Sequence, residues 1–166
     1  MKKILFIVLL GLLFLCVGCG KKATVRPMSI TAENIYNVES DKYLVYFEKE
    51  DCSQCEKALP LIIDYLTETS SKKNGLKIYS VLLEFTDENG EKVKLPISRA
   101  IENGNTGQGP DGNFYVDGVS NWVALYIAAT PSLIEVSSVN GTKQSKLVAV
   151  GTSEIENYLN VLRNEK

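Results

Sequence analysis

The sequence predicts a single α/β domain within its 166 residues, a length that suits one domain better than two. Two observations predict this class. A continuous run of apolar, β-favouring residues at 43–47 is followed almost at once by apolar residues at helical spacing, beginning at Cys55. Further along, strand-like segments on both sides of Asn140-Gly141 are followed by a closing amphipathic helix. Strands that alternate with helices in this way are typical of α/β proteins.

The first residues are typical of an export signal. Lys2 and Lys3 precede an uninterrupted apolar stretch over residues 4–18. This stretch is short for a membrane span, which needs about 20 residues. An uncleaved N-terminal anchor is the alternative interpretation, and both interpretations place the chain from about Lys21 onward outside the cytoplasm.

The end of the apolar stretch resembles a bacterial lipobox. Gly18 precedes Cys19, although Cys16 stands where a lipobox usually has leucine. The resemblance implies a lipoprotein signal peptide over residues 1–18, with Cys19 as the lipid-bearing first residue of the mature chain. The polar residues up to 29 are predicted to be a tether, so that residues 19–29 connect the lipid to the domain.

The globular domain is predicted over residues 30–166. A short helix over residues 31–38, capped by Thr31, precedes the buried strand at 43–47. The next helix is predicted to start at Cys52 or Ser53 and to end at a turn-rich segment over residues 70–75. The apolar face of this helix consists of Cys55, Leu59, Ile62, Ile63 and Leu66.

A second strand is predicted within residues 76–85, after which the regular pattern fades. Residues 86–118 are rich in Gly, Asn and Asp and are too many for an ordinary connection. We interpret this segment as an insertion that borders the functional site and selects a partner. A short helix over residues 97–102 and a short strand over residues 114–116 are predicted inside it.

The last third of the chain is predicted as helix, hairpin and helix. The helix covers residues 119–129 and ends before Pro131, with Trp122, Leu125 and Tyr126 facing inward. Trp122 is interpreted as a core residue, and a place in a substrate groove is the alternative.

Strands over residues 132–139 and 145–150 then form a hairpin around Asn140-Gly141. Gly151 precedes the final helix, for which Ser153 and Glu156 predict a capping box. Its apolar stripe consists of Ile155, Tyr158, Leu159 and Leu162.

The composition narrows the range of functions. The chain has 18 basic and 20 acidic residues and a net charge of −2, so a nucleic-acid partner has no electrostatic support. It has no histidine, which removes the common zinc sites and the Ser-His-Asp and Cys-His catalytic pairs. Asp111 and Asp117 fit turn formation better than a calcium loop. We therefore expect no metal and no cofactor, and the reactive side chains are Cys16, Cys19, Cys52 and Cys55.

Cys52 and Cys55 lie three residues apart at the junction of a buried strand and a helix. Backbone N–H groups of the first helical turn favour a thiolate at Cys52, and a thiolate is the attacking species in disulfide exchange. Cys55, one turn later, is expected to be the more buried, resolving thiol. Zinc binding by this pair is disfavoured because a closed zinc site needs four ligands.

This order of elements resembles the thioredoxin-fold family. The features that carry the resemblance are the strand before Cys52-x-x-Cys55, Pro60 in the following helix, Thr130-Pro131 before the next-to-last strand, and the closing hairpin and helix. They cover residues 43–85 and 119–162. The resemblance implies a thioredoxin-like fold with a central mixed sheet flanked by helices, and with the insertion placed before the cis-proline unit. The chain is more weakly similar to small exported thioredoxin-like proteins of Gram-positive bacteria, including bacteriocin transport accessory proteins.

The resemblance also implies roles for individual residues. Cys52 would be the nucleophile and Cys55 the resolving thiol. Pro131 in cis would hold its loop beside the Cys52 sulfur, and the Thr130 backbone would bind an extended substrate. The chain also departs from thioredoxins: Tyr46 replaces their buried aspartate, Asp51 replaces the tryptophan before the first cysteine, and Ser53-Gln54 replaces the Gly-Pro between the cysteines.

Together these features predict a membrane-tethered thiol–disulfide oxidoreductase on the extracytoplasmic face of a bacterial, Gram-positive cell membrane. Its partners would be exported proteins that carry thiols or disulfides, and a membrane or thiol electron donor. The alternative is a non-catalytic binding or accessory module for secretion, in which the two cysteines form a structural disulfide. The sequence leaves open whether substrates are reduced, oxidised or isomerised.

The acidic residues Glu48, Glu50 and Asp51 bear on the redox direction. Negative charge near Cys52 disfavours its thiolate and opposes the effect of the helix N-terminus. We therefore expect a comparatively reducing cysteine pair. These carboxylates are interpreted as solvated turn residues, and a proton-accepting role for one of them is the alternative.

Overall fold

A computed structural model describes residues 24–72, 75–99 and 115–164. The predicted signal peptide, Cys19 and the first part of the tether, up to residue 23, lie outside these residues, as do residues 100–114 of the insertion with Asp111. The described α-helices and strands are, in chain order, β1 (Met28–Ser29), β2 (Lys42–Glu48), α1 (Ser53–Thr69), β3 (Ile78–Leu82), β4 (Glu84–Thr86), β5 (Lys92–Lys94), β6 (Ser132–Val139), β7 (Thr142–Val150) and α2 (Thr152–Asn164).

Five strands form a central mixed sheet in the order β1-β3-β2-β6-β7. β1 and β2 each pair in parallel with β3, whereas β6 pairs antiparallel with both β2 and β7. This is a thioredoxin-like arrangement, and the predicted fold class is confirmed. β1 lies within the segment assigned to the tether, so pairing with the sheet begins before residue 30.

The two faces of the sheet are covered by different kinds of structure. Side chains alternate along β2, so Leu44 and Tyr46 pack with α1 and α2, while Tyr43, Val45 and Phe47 face the opposite side. That opposite side is covered by the N-terminal turn and by loop residues. The core residues contributed by those segments include Ile35, Leu83, Ile97, Val116, Leu125 and Ile127.

The hairpin around Asn140-Gly141 forms as predicted, because both residues adopt the positive φ angles that such a tight turn requires (51° and 80°). α1 begins at Ser53 as predicted and contains Pro60. α2 buries Ile155 and Leu159. However, the predicted capping box does not form: α2 starts at Thr152, and the Glu154 carboxylate accepts from Val150 N at 2.9 Å.

The predicted helix over residues 119–129 is wrong. One short 3-10 turn forms at Trp122–Ala124, and the chain then becomes extended at Leu125. Non-local pairing replaces the helical hydrogen bonds: Ile127 N donates to Ile97 O at 2.7 Å, and Arg99 N donates to Ile127 O at 3.1 Å. The same pairing excludes a helix at residues 97–99, the described part of the predicted helix over 97–102.

Three shorter predictions also differ from the structure. The N-terminal helix is a 3-10 turn at Ala32–Asn34, and the Thr31 side chain does not cap it. Residues 115–116 form a bend where a strand was predicted. The second strand ends at Leu82, because the next residues pair with a different strand in a separate hairpin.

This separate β4–β5 hairpin opens the insertion. Phe85 lies opposite Val93, and the turn is organised by Asp87, whose Oδ1 accepts from Asn89 N at 2.9 Å and from Glu91 N at 2.8 Å. Gly90 adopts a φ of 82°, which favours glycine. The sequence signal for this hairpin is Asn89-Gly90, a turn dipeptide between two short alternating segments.

Candidate redox site

Cys52 and Cys55 form a disulfide, with their Cα atoms 5.2 Å apart. Cys52 is the N-cap of α1, and its Sγ accepts from Cys55 N at 3.1 Å. The first-turn N–H of α1 therefore points at the Cys52 sulfur, as the motif position predicts. Cys55 is the more buried of the two, with 4% of its surface exposed against 8% for Cys52.

The peptide bond between Thr130 and Pro131 is cis, as the resemblance implies. The Cys52 sulfur lies 4.0 Å from Thr130 O and 3.9 Å from Thr130 Oγ1. Topology explains this proximity: β2 and β6 are antiparallel neighbours, and Phe47 near the end of β2 pairs with Ser132 at the start of β6. The loop that follows β2 and the loop that precedes β6 therefore meet at the same end of these two strands.

The N-terminus of α2 also reaches the site. The Thr152 hydroxyl lies 3.0 Å from Gln54 O and 2.9 Å from Gln54 Oε1. This contact connects Gln54, one of the two residues between the cysteines, to the last helix. The sequence gives no local signal for it, because the two residues are 98 positions apart.

Tyr46 lies beneath the cysteine pair, at the position where thioredoxins have a buried aspartate. It is fully buried, and its hydroxyl donates to Cys55 O at 3.1 Å. Burial, together with the nearby Glu48 carboxylate, raises the pKa of Tyr46 above its ordinary value. Tyr46 therefore stays protonated and acts as a hydrogen-bond donor near neutral pH, and it does not take over the proton-accepting role of an aspartate.

The three acidic residues of the β2–α1 region have different surroundings. Glu48 is half-buried, and burial raises its pKa despite an opposing hydrogen bond from Ser80. The Glu50 carboxylate accepts from Thr86 N at 2.7 Å. Asp51 is exposed and has a φ of 54°. The environment of Glu48 therefore favours its protonated form.

The two residues with competing interpretations have structural roles. Trp122 is half-buried and packs against the core on the sheet face opposite the helices. The Asp117 carboxylate accepts from Leu147 N at 2.7 Å. Among the described residues, no group of His, Cys, Asp and Glu side chains is arranged to hold a metal, and no helix is long and apolar enough to span a membrane.

The β4–β5 hairpin and the residues that follow it line the site on one side. Two adjoining cavities extend from Asp51 to Thr130 and share Lys49, Glu84 and Lys94. Residues between 86 and 99, which belong to the predicted insertion, contribute to the lining of both cavities. These charged residues and Arg99 could not be found from the sequence, because they lie on three different segments and match no motif.

Neither a comparison with protein-family models nor one with curated proteins finds a match for this chain. The fold and the site are therefore the basis on which a function can be proposed. A Cys-x-x-Cys pair joined at a helix N-terminus is consistent with a redox-active disulfide or with a structural one. The Cys52 sulfur lies beside Thr130, and Thr130 lines one of the two adjoining cavities that contain charged residues.

Proposed function

We propose that this protein is a thiol–disulfide oxidoreductase that uses Cys52 and Cys55. The observation that carries the proposal is the position of the Cys52 sulfur, which lies at the N-terminus of α1 and within 4.0 Å of Thr130, the residue before the cis proline. A purely structural disulfide needs neither neighbour. Both neighbours support thiol exchange, one by favouring a thiolate and the other by offering backbone to a substrate.

In the reduced protein, the Cys52 thiolate attacks a substrate disulfide. A bond forms between Cys52 Sγ and one substrate sulfur, while the other leaves as a thiolate and takes a proton from solvent. Cys55 loses its proton and attacks Cys52 Sγ, which releases the second substrate thiol. Two electrons pass from the cysteine pair to the substrate, and the Cys52–Cys55 disulfide is the product. The reverse sequence oxidises a substrate dithiol.

Thr130 supports the docking of an extended substrate. Within residues 24–72, 75–99 and 115–164, no backbone group hydrogen-bonds to its N–H or C=O. An extended peptide could use both groups as a neighbouring strand would. This places the substrate backbone beside the Cys52 sulfur.

Trapping of a mixed disulfide tests the proposal. In cells that express Cys55→Ser, Cys52 can attack a substrate but the product cannot be resolved, so we expect covalent complexes that reducing agent dissolves. Cys52→Ser is the matched control, because it retains one cysteine of the pair but lacks the proposed nucleophile. Equal yields of complexes from both variants, or none from Cys55→Ser, would contradict the proposal.

We also propose that the protein acts outside the cytoplasm while tethered by lipid at Cys19. The support is the sequence pattern of residues 1–22 alone. Cys19→Ala is expected to block processing at this position and to change membrane retention. An unchanged mature mass together with unchanged fractionation would remove this part of the proposal.

A second candidate function is a binding module with a static disulfide. The burial of both sulfurs favours it, since the more exposed cysteine retains 8% of its accessible surface. The candidates differ in chemistry: a static disulfide resists thiol reagents in the folded protein, whereas a redox-active one exchanges with them.

A further inference from the structure

A cavity of about 190 Å³ beside Thr130 carries a surplus of positive charge. Lys49, Lys94 and Arg99 line it, and Glu84 is the one acidic residue among the described residues of its lining. The whole chain has the opposite sign of charge, with a net value of −2. The cavity is therefore a local departure from the overall electrostatics of the protein.

Glu84 does not neutralise all three cations. Its Oε1 lies 2.9 Å from Lys94 Nζ and 3.0 Å from Ser98 Oγ, and its Oε2 lies 3.6 Å from Lys49 Nζ. These contacts lower the pKa of Glu84, so it stays ionised. One carboxylate thus faces two lysines, and Arg99 adds a further positive charge.

Arg99 is held in place without a carboxylate partner among the described residues. Its Nε donates to Pro96 O at 2.5 Å, and its guanidinium lies 4.2 Å from the centre of the Tyr126 ring. Stacking and a backbone hydrogen bond fix the plane of the guanidinium and leave its Nη donors for another acceptor. A fixed, planar fork of donors is well suited to a carboxylate.

The basic cavity has a fixed position relative to Cys52. The β4–β5 hairpin is bonded to the segment before Cys52, since Glu50 N donates to Glu84 O at 3.0 Å and Leu83 N donates to Glu48 O at 2.8 Å. Leu95 N also donates to Leu83 O at 2.8 Å. These hydrogen bonds hold the cationic side chains beside the cysteine site.

The excess positive charge belongs to the cavity that Thr130 lines, and the adjoining cavity has no such excess among its described residues. In the adjoining cavity of about 370 Å³, Lys49, Lys92 and Lys94 are balanced by three carboxylates. Those carboxylates are Glu50, Asp51 and Glu84. A substrate that binds along Thr130 would therefore contact the cavity in which positive charges outnumber negative ones.

We infer that the protein selects substrates with an acidic side chain near the cysteine that it attacks. This inference rests on the proposed function and names its substrate class. Arg99 and Thr130 line the same cavity, and Thr130 O lies 4.0 Å from the Cys52 sulfur, so we expect the carboxylate to lie a few residues from the substrate cysteine. Arg99 would bind it, and Lys49 and Lys94 would add attraction.

Synthetic disulfide-linked peptides provide the test. Three otherwise identical peptides carry Glu, Gln or Lys two residues from the cysteine, and each is mixed with the reduced full-length chain. The protein supplies the two electrons and becomes the disulfide, while the peptide disulfide becomes two thiols. At low ionic strength we expect the Glu peptide to react about five- to tenfold faster than the Lys peptide, with a smaller difference in high salt.

Three variants test the residues involved. Arg99→Gln is expected to reduce the preference to nearly equal rates. Arg26→Gln is the control: it removes the same charge from an exposed position and should keep the preference. Arg26 follows Val25, whose N–H donates to Thr67 in the C-terminal part of α1. Arg99→Gln also removes the packing of Arg99 on Tyr126, so a second variant is needed. Glu84→Gln removes a negative charge from the cavity lining and should strengthen the preference for the Glu peptide.

Equal rates for the three peptides in the wild type, or an unchanged preference in Arg99→Gln, would overturn the inference alone. Failure of every peptide to exchange would instead overturn the proposed function. Binding of cysteine-free peptides, with Ser in place of Cys, then decides the inference by fluorescence anisotropy. A Glu preference that depends on Arg99 would support it, and equal affinities would overturn it.

Discussion

At the residue scale, Asp51 combines a backbone requirement with an electrostatic effect. Its φ of 54° lies in the left-handed region, which Asn and Asp tolerate better than most side chains. Its carboxylate immediately precedes Cys52 and opposes the formation of a thiolate there. Substitution by Asn keeps the size and the backbone preference and removes the charge alone.

Asp51→Asn is therefore expected to raise the reduction potential of the cysteine pair by about 10–30 mV. Losing a negative charge stabilises the Cys52 thiolate and with it the reduced form, which makes the disulfide a better oxidant. Equilibration with glutathione buffers measures the change. Asp64→Asn is the control, because Asp64 is exposed on α1 and about 18 Å further along the helix axis. An equal shift in both variants, or a lower potential in Asp51→Asn, would contradict the argument.

Glu48 gives stability a pH dependence of predictable sign. Burial raises its pKa in the folded protein, so folding favours the protonated form. The wild type therefore loses stability as pH rises from the ordinary glutamate pKa through the raised one. Glu48→Gln lacks this loss and should be more stable than the wild type at pH 7, with a smaller difference at pH 4. Denaturant unfolding at both pH values measures this, and a larger difference at pH 4 would contradict it.

At the element scale, the sequence pattern predicts an element correctly when the residues that determine it are close together in the chain, as in a single helix or a hairpin with a tight turn. β2, α1 and the β6–β7 hairpin belong to this group. The segment 119–129 does not, because its backbone bonds to Ile97 and Arg99, and no local signal reveals that partner. Inward-facing Leu125 was predicted and is buried, although the element around it is extended.

α2 is expected to contribute to stability mainly through its buried face. Leu159 is fully buried, whereas Val161 on the same helix is 55% exposed. Leu159→Ala should cost about 2–5 kcal/mol of unfolding free energy, and Val161→Ala less than about 0.5 kcal/mol. Urea unfolding of both variants checks the assignment. Similar losses in the two variants would show that α2 does not pack as described.

At the scale of the whole molecule, the site is assembled from the end of β2, the start of α1, the loop before β6 and the β4–β5 hairpin. The cysteine pair and Pro131 could be predicted because each belongs to a short motif. The basic cavity could not, since Lys49, Lys94 and Arg99 meet only through the pairing of the hairpin with the β2–α1 segment. Its chemistry depends on tertiary structure that the sequence pattern does not reveal.

The reduction potential of the Cys52–Cys55 pair tests the central claim most directly. The full-length chain would be equilibrated with graded glutathione and dithiothreitol buffers, and the oxidised fraction counted by thiol alkylation. A redox-active pair with carboxylates nearby should exchange readily and have a potential between about −300 and −200 mV. A disulfide that does not exchange in the folded protein, or that has a potential below about −300 mV, would contradict the account and identify the pair as structural.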